Sequence, residues 1–143
     1  MGTRAYPSRL SIRGRPRLLS PASSWALNDS FTNDAEVAKR MGPATVALHP
    51  ADAAERGLAE GDQVLVANET GRLALRLTLA EAVPRGVALS LKGRWPKQEP
   101  TGTNVNVLNP GEKADMGECT AVHGIEITIA PVNGAAWETV ASA

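Results

Sequence analysis

The stretch QVLVANETGRLALRLTL (residues 63–79) holds two apolar runs joined by a short turn. In RLALRLTL (72–79) four leucines occupy every second position, so they share one face of an extended chain. QVLVAN (63–68) precedes this run, and the connecting NETG ends in Gly71, which suits a hairpin turn. The stretch therefore predicts a β-hairpin with one buried face.

Further strands and two short helices are predicted on either side of this hairpin. The helix NDAEVAKRMG (33–42) has Asn33 as a possible N-cap, and HPADAAERGL (49–58) ends at Gly57. Because strands and helices do not alternate regularly, the pattern predicts an all-β fold with short helices, and a closed β-barrel would hide the strand edges. The further predicted strands are PRLLSP (16–21), TVALH (45–49), GVALSL (86–91) and GIEITIAPV (124–132).

Charge and cysteine content argue against several functions. Fifteen basic and fifteen acidic residues argue against a general nucleic-acid-binding surface. Five arginines precede the first acid, Asp29, and form a basic arm; a solvated or packing arm is the ordinary interpretation, and a phosphate contact is the alternative. Cys119 is the single cysteine, so this chain holds neither an internal disulfide nor a cysteine-ligated iron–sulfur cluster. With no signal-peptide segment and no long apolar run, we expect a cytoplasmic protein without membrane contact.

The sequence offers few residues for catalysis. His49 and His123 lie at strand boundaries without partners at the spacing of a metal site or a catalytic triad, so we expect structural roles. Cys119 lies among three acidic residues that disfavour its thiolate, and we interpret it as a loop residue. No catalytic residue and no metal ligand is predicted.

Two polar stretches do not fit a plain barrel. SPASSWALNDSFTN (20–33) is rich in hydroxyl and amide side chains, and residues 92–123 form a connection of a length that is usually functional or disordered. Within it, TGTNVNVLNP (101–110) carries neutral donors and acceptors that match a purine edge, a ribose or a pyrophosphate. The two stretches therefore predict a surface for a large polar cofactor. The long connection also carries apolar anchors that a disordered linker would not need: Trp95, Val105, Val107 and Leu108.

Four segments in order give a resemblance to a known family: LLSPASSWALNDSF, VALHPADAAERGLAEGDQVLVANETGRL, VPRGVALSLKGRW, and TNVNVLNP followed by ADMG. They resemble the C-terminal molybdopterin-dinucleotide-binding domain of the bis-pterin molybdenum and tungsten oxidoreductases, which include dimethyl-sulfoxide reductase, nitrate reductase and formate dehydrogenase. The resemblance covers about residues 16–132, between the basic N-terminal arm (1–15) and a tail (133–143). It implies a six-stranded double-psi β-barrel that binds the guanosine-dinucleotide part of the cofactor, molybdopterin guanine dinucleotide.

The resemblance also implies which residues approach this cofactor. Asn109 stands where family members often have threonine, and we interpret it as a turn residue. Structural roles are expected for Asn68, at the hairpin turn, and for Trp95. The implied cofactor contacts are Ser20, Pro21, Asn28 and Ser30 in the first polar stretch, and Asn104 and Asn106, which are expected to share a face, in the second.

The family's longer subunits imply what this chain lacks. Their metal ligand and any iron–sulfur site lie in domains that precede this one, so molybdenum or tungsten would be held mainly by other domains. The chain is then an excised domain or a small subunit, inert alone, whose partners are the remaining domains or the catalytic subunit. The alternative is an interaction module without a cofactor, like the double-psi barrels of some ring ATPase N-domains. A self-cleaving decarboxylase is excluded because the chain has no Gly–Ser dipeptide.

Overall fold

One mixed sheet of seven strands dominates the structure, a computed structural model that describes residues 14–132. The tail (133–143) and most of the basic arm (1–15) lie outside the described residues. The strands are β1 (Arg17–Leu19), β2 (Thr45–Leu48), β3 (Gln63–Ala67), β4 (Arg72–Leu79), β5 (Val87–Leu89), β6 (Ile125–Glu126) and β7 (Thr128–Pro131). The connections hold helices α1 (Ala35–Met41) and α2 (Pro50–Glu55) and two 3₁₀ helices, Pro96–Gln98 and Val105–Leu108.

The predicted hairpin is confirmed. Strands β3 and β4 pair antiparallel from Gln63 opposite Arg76 to Ala67 opposite Arg72. Leu75 and Leu77 of the leucine face are fully buried, whereas Arg72 and Arg76 of the opposite face are exposed. The alternation therefore sets the register, because a slip by one residue would turn the leucines toward water.

Both predicted helices are present, with one difference at a cap. Helix α2 is capped by His49, whose Nδ1 accepts a hydrogen bond from the Ala51 N–H at 3.0 Å. Helix α1 is capped by Asp34, which accepts from the backbone N–H groups of Glu36 and Val37, so the prediction of Asn33 as the cap is wrong by one residue. Asparagine and aspartate cap about equally well, and the aspartate also places negative charge at the positive end of the helix.

The last predicted strand is divided between the two edges of the sheet. The strand order is β6-β1-β5-β2-β4-β3-β7, so β6 and β7 lie at opposite ends although only the buried Ile127 separates them in sequence. The sheet must therefore curl until its two edges approach each other. The predicted all-β class with short helices is confirmed, and the sheet has seven strands where six are predicted.

The core inside the curled sheet is aliphatic, as the composition requires. Strands β1 to β5 contribute to it, and the 3₁₀ helix Val105–Leu108 closes one side. Its buried members are Leu18, Val46, Leu48, Ala53, Leu58, Val64, Val66, Leu73, Leu75, Leu77, Ala88, Val105, Leu108 and Ile127.

One carboxylate is buried beside this core and fixes the start of β5. Asp52 on α2 is 2% exposed and accepts hydrogen bonds from the Gly86 N–H at 2.6 Å and from the Arg85 guanidinium. Burial raises the pKa of Asp52, but the Gly86 N–H and the Arg85 side chain together lower it below its ordinary value. The carboxylate therefore stays charged and joins α2 to the turn that leads into β5.

Candidate functional site

The two polar stretches start side by side because their strands run parallel. Strand β1 pairs parallel with β5, with Leu19 opposite Leu89, so both strands end on the same side of the sheet. We call this side, where the two strands end, the binding edge. We call residues 20–34 the first loop and residues 90–124 the second loop. Beyond the strands, the Lys92 N–H donates to the Pro21 carbonyl at 3.0 Å, which keeps the loops together.

The loops touch again at Gly93. This glycine has φ of +95°, and a Cβ atom built on it would overlap the Asn28 carbonyl oxygen and lie 3.0 Å from the carbonyl carbon. Only glycine permits both this backbone conformation and this approach. Asn28 therefore lies against the start of the second loop.

Ser20 and Pro21 face the interior of this junction. Ser20 is buried; its hydroxyl donates to the Val122 carbonyl and its N–H donates to His123 Nδ1, both at 3.3 Å. The Pro21 carbonyl is used by Lys92. These predicted cofactor residues join the first loop to both ends of the second loop.

Asn28 and Ser30 lie on the outside of the first loop. Both are exposed, and their side chains have no hydrogen bond to another residue of the described part of the chain. Asn28 has φ of +54°, a left-handed conformation that asparagine tolerates better than most residues. The structure thus presents one amide and one hydroxyl to an incoming group.

The two asparagines of the second loop have different surroundings. Asn104 is half-buried: its Oδ1 accepts from the Asn106 N–H at 3.0 Å, and its Nδ2 donates to the Arg94 carbonyl at 2.7 Å. It caps the 3₁₀ helix Val105–Leu108. Asn106 is exposed, and its side chain has no hydrogen bond within residues 14–132. The structure brings both into one segment, with Asn104 shaping the segment and Asn106 facing outward.

Arg94 is a site residue that the sequence reasoning missed. Its guanidinium donates to the Gly42 carbonyl at 2.8 Å and to the Met41 carbonyl at 3.2 Å, and it pairs with Glu99 at 3.1 Å. It thereby fixes the second loop to the C-terminal end of α1, where a positive charge is favourable. A possible signal was the arginine between Gly93 and Trp95, but its partners lie about fifty residues away in the sequence.

A cavity of about 380 Å³ lies between α1, β4 and the second loop. Its volume falls within the usual range for small-molecule sites. Gln63 lines this cavity and was also not predicted from the sequence. Its Oε1 is buried and accepts no hydrogen bond from a residue of the described chain. The lining of the cavity therefore includes an acceptor that no residue of the described chain uses, and it also includes Asn104. Other lining residues include Met41, Ser90, Arg94 and Trp95.

Within residues 14–132, the histidines and the cysteine form no second site. His49 and His123 both accept hydrogen bonds from backbone N–H groups, in line with structural roles. Cys119 is exposed in the second loop. Among residues 14–132, no group of three or more metal-ligating side chains comes together. Within the same residues, no helix is long and apolar enough to cross a membrane.

Comparisons with known proteins identify the family. The sequence model described as "Molydopterin dinucleotide binding domain" matches residues 17–125, and the chain belongs to this family. Dimethyl sulfoxide/trimethylamine N-oxide reductase from Rhodobacter capsulatus is 42% identical over 48 residues, which are 34% of this chain and 6% of that protein. "Probable oxidoreductase YoaE" from Bacillus subtilis (strain 168) is 30% identical over 91 residues, or 64% of this chain and 13% of that protein.

A solved structure has the same fold. Acetylene hydratase from Pelobacter acetylenicus superimposes with a TM-score of 0.72 at 21% identity, covering 82% of this chain and 18% of the hydratase. The chain therefore spans a small fraction of each of these relatives. Its family is that of a cofactor-binding domain, which confirms the resemblance seen in the sequence and does not favour the interaction module without a cofactor.

Proposed function

We propose that this chain holds a molybdopterin guanine dinucleotide along the edge where the first and second loops meet, as part of a molybdenum or tungsten oxidoreductase. The observation that carries this proposal is the junction itself: the parallel β1–β5 pair and the contact of Gly93 with Asn28 place two polar loops at one edge. The family fixes the class of ligand.

The residues at this edge fit such a group. A dinucleotide with a pterin and a purine has many N–H donors and acceptors, and the buried Gln63 Oε1 in the cavity lacks a donor within the described chain. The exposed polar groups of Asn28, Ser30 and Asn106 can bind neutral edges of the ligand without a charge that must be desolvated. A polar ligand therefore satisfies groups that have no partner among residues 14–132.

The six cofactor residues divide into two roles in this proposal. Asn28, Ser30 and Asn106 contact the dinucleotide through their side chains. Ser20, Pro21 and Asn104 hold the backbone of the loops in place and present their remaining polar groups. The bound metal and pterin supply the redox chemistry, whereas this chain binds and orients them.

We also propose that the curled sheet is a six-stranded double-psi barrel. Strands β6 and β7 are separated by Ile127 alone, so together they form one bent strand that pairs with β1 at one edge and β3 at the other. Counted in this way, the seven strands become six. Closure by one bent strand also removes two exposed sheet edges.

The partners we propose are the remaining domains or the catalytic subunit of the oxidoreductase, which hold most of the metal site. The first loop exposes three large apolar side chains, Trp25 (48% exposed), Leu27 (69%) and Phe31 (60%), and exposed apolar side chains close together in sequence support a surface that another protein part covers. Purification under native conditions tests this: a longer polypeptide or a second subunit with molybdenum or tungsten is expected. A metal-free chain that migrates alone would contradict it.

The cytoplasmic location stays a prediction, which cell fractionation tests.

Calorimetric titration with isolated molybdopterin guanine dinucleotide, without oxygen, tests the binding site. The double variant Asn28→Ala/Asn106→Ala should bind at least about tenfold more weakly, because each lost hydrogen bond costs about 1 kcal/mol. Glu81→Ala is the control, since Glu81 is exposed in the turn at the opposite end of β5. Equal affinity of the wild type and the double variant would contradict the proposed contacts.

A further inference from the structure

We propose that Asn68 and Gly71, in the turn of the β3–β4 hairpin, are positioning residues for the cofactor-binding segment of the second loop. This inference rests on the proposed function, because it concerns how that segment is presented to the dinucleotide. The two residues touch the 3₁₀ helix Val105–Leu108 from a turn about forty residues earlier in the chain.

The Asn68 amide uses both of its ends. Its Oδ1 accepts hydrogen bonds from the backbone N–H groups of Thr70, at 2.9 Å, and Gly71, at 3.0 Å, which shapes the turn. Its Nδ2 donates to the Leu108 carbonyl at 2.7 Å. Asparagine has both a carbonyl and an NH₂ group, whereas an aspartate could keep the first role and would lose the second. One side chain therefore fixes the turn and binds the second loop.

Gly71 is required by a close approach rather than by its backbone conformation. Its φ is not in the left-handed region, so the turn itself would accept another residue. A Cβ atom at this position would overlap the Val107 carbonyl oxygen and lie 2.8 Å from Val107 Cγ2. The hairpin turn is therefore packed directly on the backbone of the 3₁₀ helix.

These contacts determine where Asn106 lies. A 3₁₀ helix of four residues is too short to be stable alone, so its position depends on what it touches. Asn104 fixes its start through the Arg94 carbonyl, the buried Val105 and Leu108 enter the core, and Asn68 fixes its end. The exposed Asn106 lies between these fixed points, so loss of the Asn68 bond should release the side chain proposed to bind the cofactor.

The matched variants Asn68→Asp and Asn109→Asp test this role. Asn109 lies in the same loop and its Oδ1 accepts from the Gly111 N–H at 2.8 Å, but its amide nitrogen bonds to no other described residue. Asn68→Asp should speed hydrogen exchange at the Asn106, Val107 and Asn109 amides at least about tenfold relative to the β3 amides, and weaken dinucleotide binding about tenfold. Asn109→Asp should leave both close to wild type.

Wild-type exchange at those three amides in Asn68→Asp would overturn the inference. If Asn68→Asp does not fold, Gly71→Ala is measured instead. Displaced amide resonances over residues 105–109, with the β3 amides still protected, would support the inference. Unchanged resonances over residues 105–109 would overturn it. Thr70→Ala is the control, because Thr70 is exposed in the same turn. Absence of dinucleotide binding by the wild type would contradict the proposed function alone, since the exchange measurement needs no ligand.

Discussion

The first loop and the 105–108 segment of the second loop use their apolar residues in opposite ways. In the second loop, Val105 and Leu108 are buried in the core and hold the segment around Asn106. In the first loop, Leu27 and Phe31 are exposed on either side of the polar residues. The difference separates a segment held by buried residues from a loop whose large apolar side chains are exposed, and it supports the proposal that another part of the protein covers the first loop.

Replacing one leucine in each loop should give the largest difference in stability between the loops. Leu108→Ala should lower the free energy of unfolding by about 3–4 kcal/mol, because it leaves a cavity in the core beneath the loop. Leu27→Ala should change it by less than about 0.5 kcal/mol, because Leu27 is mostly exposed. Urea denaturation measures both, and similar losses in the two variants would show that the first loop is also anchored.

The second loop also depends on the strand from which it leaves, and Asp52 fixes the start of that strand. Asp52→Asn should lower the free energy of unfolding by about 2–3 kcal/mol, since the Gly86 N–H and Arg85 lose a carboxylate partner and Arg85 is partly exposed. The effect depends on pH. The folded-state pKa of Asp52 lies below its unfolded value of about 3.9, so its contribution is complete above that pH and is lost as the pH falls through the folded pKa.

Urea midpoints measured from about pH 2 to pH 7 check this sign. The difference between the wild type and Asp52→Asn should be constant at neutral pH and shrink on acidification below about pH 4. A difference that grows on acidification would mean that the folded state raises the pKa of Asp52.

Adding a side chain should destabilise the protein more at Gly93, where the two loops touch, than at Gly102, where the space is open. Gly93→Ala should lower the free energy of unfolding by about 2 kcal/mol, because the new Cβ atom overlaps the Asn28 carbonyl in an already left-handed conformation. Gly102→Ala has the same backbone requirement in open space, so a loss of about 1 kcal/mol is expected. Equal losses would indicate that the backbone conformation alone matters and that the loops move apart easily.

A small gain in stability is expected at Phe31, an exposed aromatic residue with φ of +70°. Phe31→Asn should raise the free energy of unfolding by about 0.5 kcal/mol, because asparagine accepts this conformation at less cost and little buried area is lost. Thermal unfolding of the two proteins measures it. A loss above about 1 kcal/mol would place Phe31 in a packing role within this chain.

The sequence predicted those features that depend on near neighbours in the chain. The alternating leucines predicted the β3–β4 hairpin, and the proline and glycine around α2 predicted that helix. The Asn33 cap is wrong because Asp34 competes with it, and local sequence does not separate two adjacent capping residues.

Features made by remote contacts could not be predicted in this way. The bonds of Arg94 to the end of α1 join residues far apart in sequence, and the unpaired Gln63 acceptor is visible only once the second loop covers the sheet. Asn68 was predicted as structural, but its bond to the Leu108 carbonyl follows from the fold alone. The amide pattern of the second loop predicted a binding segment without revealing which asparagine is used internally.

The most direct test of the account maps isolated molybdopterin guanine dinucleotide onto the chain by NMR titration. The largest shifts should fall on Asn28, Ser30 and Asn106 and on the side-chain amide of Gln63, with little change at the opposite end of β5, around Glu81 and Arg85. Shifts centred on Glu81 and Arg85, or no saturable shift at all, would contradict the claim that the two loops form the cofactor-binding edge.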